Sequence, residues 1–214
     1  MAGSIAVIDY GMGNLRSVWQ AVAHVAEGRE VQVTSDPQVV AAAERVVFPG
    51  QGAMPDCMRE LDARGLRPVL LDAARNKPFL GICIGQQMLF EHSEEGDVAG
   101  LGVFAGQVRR FPGERMVAAD GARLKVPHMG WNEVRHSAPE HPLWQGIADG
   151  ERFYFVHSYY VDPADRSIVA GTTDYGIPFT SAVARDNIFA VQFHPEKSAH
   201  AGLALLANFI RWSP

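Results

Sequence analysis

Two short stretches carry side chains that could perform covalent chemistry together. Gly81-Ile82-Cys83-Ile84-Gly85-Gln86-Gln87 supplies a thiol, and His194-Pro195-Glu196, far downstream, supplies an imidazole and a carboxylate. If the three groups meet in space, a thiolate nucleophile, a general base and an orienting acid are all present, which suffices for acyl transfer through a thioester. A small-x-Cys-x-small run between a strand and a helix has the form of a nucleophile elbow, in which Gly81 and Gly85 permit the sharp bend and the close packing around it. The sulfur then sits beside the first turn of a helix, whose partial positive charge favours thiolate over thiol. Ile84, just after it, offers its backbone amide to a developing oxyanion. Proline biases His194 toward extended backbone, and residues two apart in an extended segment share a face. His194 can therefore act as base toward Cys83 while Glu196 holds its tautomer and orientation. Each half also has a plainer reading: a lone cysteine is usually an inert small hydrophobe, and His-Pro-Glu alone describes a solvated surface pair.

The elements around these stretches must bring them together. Ser4-Ile5-Ala6-Val7-Ile8 reads as a buried strand, followed by a turn and a helical stripe of Leu15, Val18, Trp19 and Val22 with Asn14 as N-cap. Glu30 to Val33, Arg45 to Phe48 and Pro78 to Ile82 read as further strands, which with the helices between them makes a βαβ rhythm and a mostly parallel sheet covered on both faces. Ligands belong at the carboxyl edge of such a sheet. From about Gly100 the segments shorten to pieces such as Arg152 to Val156, Ile168 to Ala170 and Ala182 to Ala184, which look at least partly antiparallel. The strand Phe189 to Phe193 delivers His194, and a last helix, capped by Ser198, puts Leu203, Leu206, Ala207 and Ile210 on one face.

The whole chain narrows the classes of function. With 214 residues and 47% hydrophobic content it can fill one core and is short for two, so residues 1–214 read as a single domain. A net charge of −5 without a cluster of Lys and Arg gives no footprint for nucleic acid or an anionic membrane. Only Cys57 and Cys83 occur, Met1 to Tyr10 lacks a basic signal region, and no apolar run reaches the length of a bilayer span. A reducing, cytoplasmic compartment is expected. Cys57 lies in a stretch that reads as a helix, Met54 to Leu61, without an elbow, and reads as structural. Gly11-Met12-Gly13 is no dinucleotide fingerprint because position 16 is Arg16, and the eight histidines show no metal-ligand spacing. Neither cofactor nor metal is indicated. Pro49-Gly50-Gln51-Gly52 follows a strand, and its amides could complete an oxyanion site, although most such clusters are plain turns.

Taken in order, Pro49-Gly50-Gln51-Gly52, the Cys83 segment and His194-Pro195-Glu196 resemble the class I glutamine amidotransferases. A narrower resemblance, to the glutaminase subunits of imidazole glycerol phosphate synthase, rests on four segments. These are Asp9 to Leu15, Pro127-His128-Met129-Gly130-Trp131-Asn132, Phe153 to Tyr159, and Lys197 directly after the carboxylate. Nearly the whole chain is covered. The resemblance implies a flavodoxin-like α/β fold with a mostly parallel central sheet, helices on both faces and an added antiparallel portion. It implies hydrolysis of L-glutamine by Cys83, His194 and Glu196, with ammonia passed to a separate cyclase subunit, a (β/α)₈ barrel, in a heterodimer of histidine biosynthesis. By position, Gly50, Gly52 and Gln87 resemble glutamine-binding elements, as does the backbone of His157, Ser158 and Tyr159. Gln51 and Ile84 resemble the oxyanion site. Asn14, Met129, Trp131 and Lys197 resemble contacts at the cyclase interface.

The chain departs from the family pattern at Gln51, where a small aliphatic residue is common. Two other readings stay open at this level: a class I glutaminase of another pathway, and a peptidase or non-catalytic binding module on a similar fold. The Pro-His-Met-Gly-Trp-Asn segment speaks against the first, and Gln87 with His-Pro-Glu against the second.

Overall fold

The computed structural model describes residues 3–113, 116–118 and 121–214. In chain order the elements begin with β1 (Ile5–Ile8), α1 (Leu15–Val25), β2 (Val31–Thr34), α2 (Pro37–Ala42), β3 (Arg45–Gly50), α3 (Met54–Ala63), α4 (Arg67–Asn76), β4 (Phe79–Cys83) and α5 (Ile84–Gln87). Then follow β5 (Phe90–Ser93), β6 (Val98–Ala99), β7 (Phe104–Arg110), β8 (His128–His136), β9 (Glu151–His157), β10 (Tyr159–Pro163), β11 (Val169–Asp174), β12 (Pro178–Arg185), β13 (Ile188–Val191) and α6 (Ala199–Arg211).

Strands β2, β1, β3, β4 and β13 lie side by side in that order, and every neighbouring pair is parallel. Their central members are largely apolar: β1, β3, β4 and β13 are buried at every position, Arg45 at the start of β3 included. That pattern belongs to a sheet covered on both faces. The crossover through α1 moves one way along the sheet and that through α2 the other, so right-handed connections put the two helices on opposite faces. Beyond β13 the sheet turns antiparallel through β12 and β10, continues into β7, β5 and β6, and branches from β12 through β11 to β8 and β9. One hydrophobic cluster joins the two portions, running from Ile5 to Trp212.

Several sequence expectations need correction. The helix after Cys83 is a single turn, Ile84–Gln87, because the chain returns to strand at Phe90. Trp19 is not part of the buried stripe; it is 41% exposed and its Nε1 donates to Val31 O at 3.0 Å, while Val18 and Val22 are buried. On α6 the buried face runs through Leu205, Leu206, Phe209 and Ile210, and Leu203 and Ala207 are half-buried. Ser198 stands at the α6 N-cap but makes no capping bond: its Oγ donates to His194 O at 2.6 Å and accepts from Tyr154 N at 2.9 Å. The strand expected through Phe193 ends at Val191, and the one expected from Ile168 begins at Val169 after a 3-10 turn. Asn14 does cap α1, accepting from Ser17 N at 3.4 Å.

Candidate active site

The geometry begins with the backbone at the end of β4. Cys83 has φ 56° and ψ −113°, a region that residues with a side chain enter only under strain and that marks functional turns. The bend is possible because its neighbours are glycine. A Cβ on Gly85 would run into the Phe48 carbonyl, and one on Gly81 would meet Ala190 Cβ at 3.0 Å and Gly85 O at 3.1 Å. With α5 reduced to one turn, the dipole of a long helix is absent, which leaves a larger share of any stabilisation of the Cys83 sulfur to nearby side chains.

One such side chain is His194. Parallel pairing of β13 with β4 carries His194 to the same sheet edge as Cys83. The two line one cavity of about 240 Å³ together with Gln51, Gly52, Ile84, Gln87, Glu95, Pro127, Val156, His157, Ser158 and Tyr159. His194 Nδ1 lies 2.8 Å from Glu196 Oε1, with both side chains almost wholly buried. Nε2 makes no hydrogen bond among the described residues. Burial pushes the imidazole down, but the Cys83 sulfur and then the Glu196 carboxylate outweigh it and raise His194 to about 10. Partners that favour the protonated ring move an imidazole in that direction.

The Pro49 to Gly52 loop abuts the elbow because β3 and β4 pair in register, Gly50 opposite Cys83. A Cβ on Gly50 would come within 2.7 Å of Ile84 Cβ and 2.9 Å of Gly85 N, so this approach needs glycine. The Gln51 carbonyl accepts from Cys57 Sγ at 3.6 Å. Burial pushes the Cys57 thiol up to about 11, which keeps its proton in place as donor. Cys57 is therefore structural, as its surroundings in the sequence indicate, and what it braces is this loop.

Gln87 is buried rather than solvated. Its Nε2 donates to Tyr159 O at 3.1 Å and to Gln192 Oε1 at 2.8 Å, while its Oε1 has no partner among the described residues. The backbone of the 157–159 segment is already engaged: Ser158 O accepts from Phe111 N at 3.0 Å, and Tyr159 O also receives His157 Nδ1 at 2.8 Å. Two groups that no motif flags belong to the site. Glu95 lines the cavity and accepts from Met54 N at 2.8 Å, capping α3 from outside it. Gln192 donates to Cys83 Sγ at 3.7 Å.

Of the residues expected at a partner face, Met129, Trp131 and Lys197 come together outside the cavity. In the β8–β9 ladder Trp131 faces Tyr154 and Met129 faces Val156. Trp131 is 48% and Met129 62% exposed, Trp131 packs edge-on to Tyr154 at 6.2 Å, and Lys197 Nζ lies 5.9 Å from the Tyr154 ring. Asn14 is exposed at the start of α1, where with Gly13, Gln51, His194 and Glu196 it lines a second, very small cavity.

Residues 6–212 match the family model described as "Glutamine amidotransferase class-I". The chain belongs to the class I glutamine amidotransferases. Among relatives of this amidotransferase, "Imidazole glycerol phosphate synthase subunit HisH" of Aromatoleum aromaticum is 74% identical over 210 residues, covering 98% of this chain and 99% of the relative. The protein of the same name from Dechloromonas aromatica is 72% identical, covering 99% and 97%. The solved glutaminase domain of Trypanosoma brucei CTPS with bound acivicin superposes with a TM-score of 0.67 at 18% identity, covering 99% and 95%, a likeness of fold. The amidotransferase is thus a glutamine-hydrolysing enzyme.

Proposed function

We propose that residues 1–214 form a single glutaminase domain that serves as a subunit of imidazole glycerol phosphate synthase. It releases ammonia from L-glutamine through Cys83, His194 and Glu196. The observation that carries the residue assignments is the buried His194–Glu196 pair at 2.8 Å, whose free Nε2 belongs to the cavity that also contains the strained Cys83.

In this reading the Cys83 sulfur attacks the side-chain amide carbon, and the oxygen takes up negative charge. The Ile84 amide and an amide of the Gly50-Gln51-Gly52 loop face that charge. His194 gives its proton to the departing nitrogen, ammonia leaves, and a glutamyl thioester remains. Water then attacks as His194 takes a proton from it, and glutamate leaves with the sulfur restored. Glutamine needs an acceptor and an anion for its donors. Gln87 Oε1 is the free acceptor, and Glu95 is an acid of the cavity able to meet the α-ammonium.

Ammonia passes to a cyclase subunit with which the chain forms a heterodimer, docked on the face that holds Asn14, Met129, Trp131 and Lys197. Free thiols at Cys57 and Cys83 suit a reducing, cytoplasmic setting. Among the described residues no helix is long and apolar enough to cross a membrane. The test pairs Cys83→Ala with the cyclase: glutamine-dependent synthesis should fall by about 10⁴-fold or more, while synthesis from added ammonium salt continues. Surviving glutamine-dependent synthesis would overturn the assignment.

A further inference from the structure

Gln192 leaves β13 two positions before His194 and is wholly buried against the nucleophile. Its Nε2 donates to Cys83 Sγ at 3.7 Å and its Oε1 accepts from Gln87 Nε2 at 2.8 Å. A side-chain amide can in principle be turned either way, with oxygen or nitrogen toward the sulfur. Here the surrounding groups remove that freedom. The Tyr159 carbonyl can only accept, so Gln87 must present its amino group to it, at 3.1 Å. The second hydrogen of the same amino group then meets Gln192 Oε1, which leaves only Gln192 Nε2 for Cys83. A backbone carbonyl thus dictates the orientation of two amides in series.

His157 reinforces the same carbonyl. Its Nδ1 donates to Tyr159 O at 2.8 Å, its Nε2 accepts from His128 Nδ1 at 2.9 Å, and Asn132 Nδ2 donates to His128 Nε2 at 3.3 Å. Burial lowers His157 to about 3 and His128 to about 4, so both rings are neutral at ordinary pH and keep one direction of donation.

We propose that Gln192 is a positioning residue for the nucleophile, donating to the Cys83 sulfur and favouring its anionic form, with the direction of that donation fixed by Gln87 and the Tyr159 carbonyl. This rests on the reading of Cys83 as the attacking group. A hydrogen bond to an anionic sulfur is charge-assisted and stronger than one to a neutral thiol. The donor therefore adds to what the single turn of α5 supplies.

Two variants test it in the full chain bound to its synthase partner. Gln192→Met keeps length and removes the amide; Gln192→Glu keeps the acceptor for Gln87 and replaces the donor by an anion. Three readouts are needed: kcat and KM for glutamine, the pH dependence of Cys83 alkylation by iodoacetamide, and the thermal transition. Gln192→Met should lower kcat about 10- to 100-fold with KM changed less than about threefold, and move the alkylation profile about one pH unit upward. Gln192→Glu, which sets a wholly buried acid beside the sulfur, should move the profile at least as far upward and also lower the thermal transition. If both variants keep the parent alkylation profile and kcat within about twofold per folded molecule, Gln192 is only a packing residue and the proposal falls. Cys83→Ala in the same assays separates the failures: glutamine hydrolysis persisting there overturns the nucleophile itself, whatever Gln192 does.

Discussion

The tips of β3, β4 and β13 and the β8–β9 ladder both border the same cavity, yet they are made in different ways. At the strand tips the chemistry is set by backbone: the positive φ of Cys83, the glycines at 50, 81 and 85, and the turn that seats Glu196 beside His194. In the ladder it is set by register. Pairing His128 with His157 and Trp131 with Tyr154 places a neutral histidine pair on the inner face and an aromatic surface on the outer one. A one-residue slip would exchange those faces, whereas no slip is needed to destroy an elbow; a single methyl group does it.

The contrast can be broken most forcefully at the tips. Glu196→Gln keeps the shape of the acid and removes its charge, so the ring loses the group that fixes its tautomer. By analogy with other triads kcat for glutamine should drop by about 10² to 10⁴, with KM little changed; a loss under about threefold would mean that the turn alone orients His194. The ladder is probed next through its outer face. Trp131→Ala should weaken binding of the cyclase subunit by about 10- to 100-fold in a titration, with the thermal transition of the free chain nearly unmoved. Unchanged affinity would remove the aromatic surface from the docking face.

The smallest effect concerns the inner face. His128 and His157 titrate near 6.5 when unfolded and at about 4 and about 3 when folded. The unfolded chain therefore binds more protons below pH 6.5, so stability present above that value is lost as the pH falls toward 4. The melting temperature should decline across that window, and His128→Phe, which keeps a ring between Phe155 and Tyr175, should flatten the decline. An equal slope in the variant would show that other groups govern it.

This division also explains what could be read from the chain alone. The elbow, the His-Pro-Glu segment and the parallel strands announce themselves because local geometry demands particular residue types in a row. Gln192, Glu95 and the pairing of His128 with His157 are invisible there, since the contacts concerned, to Cys83, Met54 and each other, span 29 or more positions. Gln87 was visible as a site residue but not its mode of action, because both its donors are committed to Tyr159 and Gln192. The expected helix after Cys83 shows the opposite error: its residues suit a helix, and the strand pairing of Phe90 with Phe104 ends it after one turn.

The backbone at residue 83 carries its distortion whatever atom sits at the end of the side chain. An alanine or serine placed there inherits the same unfavourable torsions without the reaction that justifies them, and glycine alone is released from them. Under the proposed role of Cys83, relief of this strain and retention of the nucleophile exclude each other at one position.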